Sequence, residues 1–341
     1  MKEALHYEQL NNKTVKCHLC AHHCVIARDK RGICGVRENR SGSLYTLVYG
    51  KSIAENIDPI EKKPLFHFMP GSKSFSIATA GCNFRCLHCQ NYEISQMPRD
   101  RDVIIGKNFS PEDIVARARE TGCKSISYTY TEPTIYYEYA FDIAKRAHEE
   151  GLKNIFVTNG YITEGPLREI SPYLDAANID LKAFTEGFYK KICGARLQPV
   201  LDTIKLCREL NIWIEITTLI IPTHNDRPHE LEQIAAFIRE LGPDIPWHVT
   251  AYHPTYLLTD QQRTPVTTLI QARDIGRRAG LRYVYTGNSA GEPGENTYCY
   301  NCGELLVERR GFSVLKNRIA DAHCPQCLIR IDGEGLAAGL T

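Results

Sequence analysis

Cysteine is the residue whose spacing carries chemistry in this sequence. Eleven of the 14 cysteines fall into three groups: Cys17, Cys20, Cys24 and Cys34; then Cys82, Cys86 and Cys89; then Cys299, Cys302, Cys324 and Cys327. The first residues, Met1 to Val15, are polar and lack the apolar core of a secretory leader. A cytoplasmic chain is therefore expected, where reductants keep thiols free and clustered thiols read as metal ligands rather than disulfides. The middle group lies in Gly81-Cys82-Asn83-Phe84-Arg85-Cys86-Leu87-His88-Cys89, with the spacing Cys-x3-Cys-x2-Cys. Three thiolates in one loop suit three irons of a [4Fe–4S] cube, leaving the fourth iron open to a substrate or cofactor. The competing reading is a zinc site closed by His88 or His67.

The flanking groups have other spacings. Cys299-x2-Cys302 and Cys324-x2-Cys327, 21 residues apart, match the two knuckles of a zinc ribbon. A structural zinc would staple a segment too short to build its own core. Four thiolates could equally hold an auxiliary Fe–S cluster. Cys17-x2-Cys20-x3-Cys24 with Cys34, near His18, His22 and His23, leaves zinc and a second [4Fe–4S] cluster both open. Cys123, Cys193 and Cys207 stand alone and suit a core. Cys193, in a loop after the fourth strand, is also a candidate to donate hydrogen or hold substrate.

These groups must be positioned by the chain between and around them. Its 341 residues divide into a Cys- and His-rich segment over 1–69, a central domain over 70–290, and a four-cysteine ribbon over 291–341. The central domain alternates strand and helix. Apolar β-rich runs begin near Lys73, Ser125, Asn154, Ala177, Ile212, Trp247 and Tyr283, and Ser110-Pro111-Glu112-Asp113 reads as a helix start. Repeated βα units require a parallel sheet. Polar residues gather at the strand ends, including Thr131, Glu132, Asn159, Asp180, Lys182 and His253. Chemistry collects at that end in α/β barrels, so an α/β fold with a partial (β/α)6 TIM-like barrel is expected. The net charge of +1 argues against nucleic acid as a partner, and no apolar run is long enough to span a membrane.

The cysteine loop directly after the first barrel strand resembles that of the radical S-adenosylmethionine (SAM) superfamily. Tyr130-Thr131-Glu132-Pro133 is similar to its Gly-Gly-Glu-Pro segment, with both glycines replaced. Val157-Thr158-Asn159-Gly160 resembles the Asp-Thr-Asn-Gly of glycyl-radical-enzyme activases, Asp180-x-Lys182 their Asp-x-Lys, and His253 their strand-six histidine. Val157 stands where some activases place a cation-binding Asp. The resemblance implies Cys82, Cys86 and Cys89 as cluster ligands. It implies Thr131, Glu132, Asn159, Asp180, Lys182 and His253 as SAM contacts. It further implies reductive SAM cleavage to a 5′-deoxyadenosyl radical that abstracts hydrogen, with an electron donor such as flavodoxin or ferredoxin. Cys17–Cys34, Asp58–Leu65, Gly81–Asn91, Ile192–Ala195 and Gly287-Asn288 together look like the radical SAM enzyme of the AmmeMemoRadiSam system. That likeness implies Memo-like and AMMECR-like partner proteins and leaves the substrate open. A glycyl-radical-enzyme activase and a non-catalytic zinc-binding interaction protein are the alternatives.

Overall fold

The structure, a computed structural model, describes residues 1–289 and 294–336. Its centre is one eight-stranded sheet. Seven strands run parallel: β2 (Lys73–Ala78), β3 (Ser125–Tyr128), β4 (Lys153–Thr158), β5 (Ala176–Asp180), β6 (Trp213–Ile220), β7 (Trp247–Ala251) and β8 (Val284–Gly287). They lie side by side in chain order, and each starts within one residue of the position expected from the sequence. Six helices follow the first six of these strands: α1 (Pro111–Glu120), α2 (Tyr137–Glu149), α3 (Glu164–Ile170), α4 (Gln198–Glu209), α5 (Pro228–Leu241) and α6 (Val266–Arg278). The expected six βα units are thus present, and the sheet ends on β8 without closing into a ring. The strands are nearly continuous runs of buried side chains, as a sheet covered on both faces requires. Helix α1 begins where its signals placed it: Ser110 Oγ accepts from the Asp113 N–H and the Asp113 carboxylate accepts in return, a capping box.

The other edge of the sheet is β1 (Ala54–Pro59), antiparallel to β2 from Ala54 opposite Ala78 to Pro59 opposite Lys73. This strand lies within the 1–69 segment of the sequence yet pairs with the barrel sheet. The residues before β1 form two small three-stranded antiparallel sheets. Their apolar side chains, among them Val15, Leu19, Ile26, Val36 and Leu44, belong to one continuous core with the barrel helices. Arg37, buried in this seam, donates to both oxygens of the buried Glu138 carboxylate on α2, at 2.8 and 3.1 Å. The boundary expected between 290 and 291 lies outside the described residues.

The C-terminal segment packs on the opposite end of the barrel from the cysteine loop, with strands β9 (Thr297–Tyr298), β10 (Leu305–Arg310) and β11 (Ser313–Asn317). It has its own apolar cluster with Phe66, Tyr283 and Tyr285. A buried polar network joins it to the strand starts. Glu215 of β6 accepts the backbone N–H groups of Phe66 and His67 at 3.0 and 2.8 Å and bonds His248 Nε2 at 2.6 Å. His67 donates from Nδ1 to the Asp332 carbonyl (2.7 Å) and accepts from the Tyr285 hydroxyl at Nε2 (2.5 Å). Burial pushes the His67 imidazole down to about 4, which keeps it neutral in this tautomer. Among the described residues no helix is long and apolar enough to cross a membrane.

Candidate metal and cofactor centre

The loop carrying Cys82, Cys86 and Cys89 leaves β2 through Gly81. Its φ of +105° and its closeness to Val36 leave no room for a side chain: a Cβ would stand 2.8 Å from Val36 Cγ1. The loop is then fixed by three backbone bonds to two other segments. The Arg85 and Leu87 N–H groups donate to the carbonyls of Cys193 and Ile192 at 2.8 and 2.9 Å, and the Leu257 N–H donates to the Leu87 carbonyl at 2.9 Å. Cys89 Sγ lies 3.2 Å from Ser95 Oγ.

Cys193, set apart in the sequence, thus sits against the cluster loop. It ends a single π-helical turn, Tyr189–Cys193, stopped by Gly194 at φ +68°. Such turns are frequent at functional sites. The buried Cys193 thiol donates to the Cys86 sulfur, which lowers the Cys86 thiol, while burial holds Cys193 well above its ordinary value. Of this pair, Cys86 is the more acidic thiol. Burial raises the thiols of Cys82 and Cys89.

The ends of β3, β4 and β5 close around the same loop. Tyr130, in place of the first glycine of the resembled segment, takes φ +63°, a strained setting for a bulky residue. Its surroundings hold it there. Its hydroxyl donates to Asp58 and its carbonyl accepts from Asn91 Nδ2 at 2.8 Å, while Lys63 Nζ lies 4.6 Å from the ring centroid. Burial alone would raise the Asp58 carboxyl, but Lys63, Tyr130 and Lys62 hold it well below the usual range. Thr131 donates from Oγ1 to the Thr79 carbonyl at 2.9 Å.

Glu132 turns inward. Oε1 accepts from the Thr134 N–H (3.1 Å), the Thr134 hydroxyl (2.5 Å) and the Thr158 hydroxyl (2.7 Å), and Oε2 from the Asn159 N–H (2.8 Å). It clamps the end of β3 to the end of β4, so the surface it offers a ligand is the backbone it holds. Asn159 Nδ2 donates to Asn83 Oδ1 at 2.8 Å and lies 3.9 Å from Cys82 Sγ. Lys182 Nζ bonds Asp180 at 2.7 Å. Burial alone would lower this ammonium, yet Asp180 and the sulfurs of Cys86 and Cys193 raise it well above its ordinary value, so it stays charged. His253 is exposed beyond the end of β7, in the segment whose Tyr256 stacks on Tyr92 at 4.7 Å.

Sequence reasoning had not singled out Asn83, Tyr189, Ser95 or Tyr256. None carries a spacing signal, since each reaches the site through the fold. The residues present fit a cluster in the loop: three thiols, one of them made more acidic by its neighbour, stand near a fixed cation. Asn83 Nδ2 and His88 Nδ1 are buried with no partner, two polar atoms in the same loop that await one. At the other end of the molecule Cys299 and Cys327 bring their sulfurs to 3.6 Å, and Cys302 and Cys324 to 3.7 Å, all four within 4.8 Å of one another. Four thiolates about 2.3 Å from one tetrahedral ion stand about 3.8 Å apart, so this set fits a single zinc.

An unclosed barrel of six βα units, with a three-cysteine loop after its first parallel strand, defines a class of enzymes. This chain belongs to the radical SAM superfamily, whose description matches residues 76–238. Membership implies a [4Fe–4S] cluster and SAM. The uncharacterized protein MJ0808 of Methanocaldococcus jannaschii is 49% identical over 335 residues, which is 97% of this chain and 99% of that protein. The pyruvate formate-lyase-activating enzyme of Clostridium pasteurianum is 24% identical over 169 residues, 47% of this chain and 67% of its own. The crystal structure of Streptococcus suis SuiB bound to S-adenosylmethionine shares the fold at TM-score 0.51 and 15% identity, covering 68% of this chain and 53% of that one.

Proposed function

We propose that this enzyme cleaves SAM reductively at a [4Fe–4S] cluster held by Cys82, Cys86 and Cys89. The observation that carries this reading is the convergence of Cys86, Cys193 and Lys182 under the strand ends that Glu132 and Tyr130 hold in place. When bound, the cluster and SAM would supply a 5′-deoxyadenosyl radical that takes a hydrogen atom from substrate. The chain's own part is placement and charge. The Lys182 ammonium balances thiolate charge, and Asp180 fixes its direction. The clamp at Glu132 presents backbone groups of 130–132 to the methionine end of SAM. Thr131, Asn159 and the exposed His253 are the further candidate SAM contacts. Cys193, held as a thiol, has a hydrogen to give. Its backbone also braces the loop.

A low-potential donor such as flavodoxin or ferredoxin would supply the electron. The Asp58–Lys63 anchor of Tyr130 supports the likeness to the AmmeMemoRadiSam enzyme, since it gives the Asp58-Pro59-Ile60-Glu61-Lys62-Lys63 stretch a role at the site. Memo-like and AMMECR-like proteins are then its proposed partners. The pyruvate formate-lyase-activating relative favours, as the second reading, a protein substrate that receives a glycyl radical.

The test is 5′-deoxyadenosine release. Anaerobically prepared, dithionite-reduced protein with SAM should yield it, and Cys82→Ala, Cys86→Ala and Cys89→Ala should each yield none. Wild-type yield from any of the three overturns the assignment.

A further inference from the structure

The N-terminal thiols are brought together by the fold in a way their irregular spacing does not announce. Cys17 ends a strand, Cys20 and Cys24 lie in the following turn, and Cys34 comes from the loop before Arg37. They face a shared pocket closed by Leu19, Ile26 and Ile135. No carboxylate lines it. Beside Cys24 stands Gly32, where a Cβ would meet the sulfur at 3.6 Å. Arg37 also lines the pocket. Its guanidinium is buried and lies in the field of Cys17 and Cys34, and its Nε has no partner although Nη1 and Nη2 are bonded elsewhere. Glu138 already balances the Arg37 charge, but an unused buried donor set among four thiols points to a guest that accepts a hydrogen bond.

The size of that guest follows from a contrast within the molecule. Among the described residues only the ribbon gathers three or more such ligand atoms within 4.8 Å of one another. The N-terminal sulfurs are spread more widely around their pocket than one tetrahedral ion requires. Thiolates on the four corners of a [4Fe–4S] cube stand roughly 6 Å apart, which suits the wider cage.

We propose that Cys17, Cys20, Cys24 and Cys34 hold a second [4Fe–4S] cluster, distinct from the one at Cys82, Cys86 and Cys89. Four protein thiolates leave no iron open, so this cluster does not take SAM. The two sites share a wall. His22 Nε2 donates to the Asn83 carbonyl at 2.8 Å, and a Cβ on Gly81 would lie 3.1 Å from the Cys34 carbonyl oxygen. The proposal rests on the radical SAM reading only for the identity of its neighbour.

The experiment counts iron and zinc in protein purified anaerobically, without chemical reconstitution. Wild type should carry about eight irons. The triple variant Cys82→Ala/Cys86→Ala/Cys89→Ala, whose cage is intact, should keep about four, with a reduced-state electron paramagnetic resonance signal that SAM does not alter. Cys17→Ser/Cys24→Ser should also keep about four, with a signal that SAM does alter. If the triple variant holds no iron and gains a zinc beyond that of the ribbon, the cage is a zinc site and the proposal falls. The triple variant decides the matter even if the cage variant fails to fold. A wild-type signal indifferent to SAM would instead refute the catalytic assignment, leaving the iron count of the cage to stand.

Discussion

Replacing Glu132 by Gln tests whether the clamp between β3 and β4 positions the site. Both carboxylate oxygens face backbone N–H groups: Oε1 that of Thr134 and Oε2 that of Asn159. Hydroxyls can turn to suit a new neighbour, but an N–H cannot. A glutamine offers a single acceptor oxygen, so either orientation sets its NH2 against an N–H. Burial raises the Glu132 carboxyl, yet a protonated carboxyl would still accept at both oxygens, so the argument does not depend on its charge. One buried donor left unsatisfied costs about 1–3 kcal/mol, and the weakened bonds from Thr134 and Thr158 bring the total to about 2–4 kcal/mol. At roughly 2 °C per kcal/mol for a chain of this size, Tm should fall by about 4–8 °C. Anaerobic calorimetry measures it, alongside SAM affinity by equilibrium dialysis, which should weaken about tenfold at unchanged iron content. A Tm within about 1 °C of wild type, with SAM bound as tightly, would refute the clamp.

Three further outcomes are expected. The His67 imidazole titrates near 4 in the fold and near 6.5 unfolded, so the unfolded chain takes up the proton first as pH falls. Stability should be level above about pH 6.5 and decline to about pH 4 by about 3 kcal/mol in total; urea titrations should show this slope in wild type, and its persistence in His67→Gln would assign it elsewhere. Cys324→Ser should lose about one zinc per chain and become protease-sensitive after residue 294 while keeping its iron, as metal counting and mass mapping of fragments would reveal; loss of about four irons instead would make the ribbon an Fe–S site. Asp180→Ala frees the Lys182 ammonium from its 2.7 Å partner, and SAM affinity should drop about tenfold with the cluster spectrum intact; unchanged binding would leave the pair a purely structural one.

The barrel was legible because its signals are local. Strand starts, the Ser110–Asp113 capping box and the cysteine loop each lie within a few residues of sequence. What escaped depends on distant pairing. Strand β1 reads as a polar stretch, Ala-Glu-Asn-Ile-Asp-Pro, because as an edge it buries little, and only its register with β2 makes it part of the sheet. The N-terminal residues carry few long apolar runs because their core is shared with the barrel. Glu132 carried the right position, but its inward turn depends on Thr158 and Asn159, from the next strand. Cys193 was a candidate from its loop, but its place beside the cysteine loop arises from backbone bonds between Arg85 and Cys193 and between Leu87 and Ile192. Tyr130 at positive φ replaces a glycine because Asp58 and Lys63, some seventy residues earlier, hold its ring.

The ribbon has a bearing on how the molecule is made. Arg309 of β10 donates to the Phe66 carbonyl at 2.8 Å and covers its ring at 4.3 Å, and the Asp332 carbonyl accepts from His67 Nδ1. These contacts roof over the Glu215 carboxylate from below. During synthesis the ribbon follows every barrel strand off the ribosome, so the barrel's floor stays wet until that last segment folds. Four-thiolate modules of this size fold with their metal. Were the four thiols to take the metal their geometry fits, loading at one end would be the finishing step in maturation of an enzyme whose cysteine loop lies at the other, and a newly made chain starved of that metal would present an unfinished floor to the cell's proteases before it ever met its substrate.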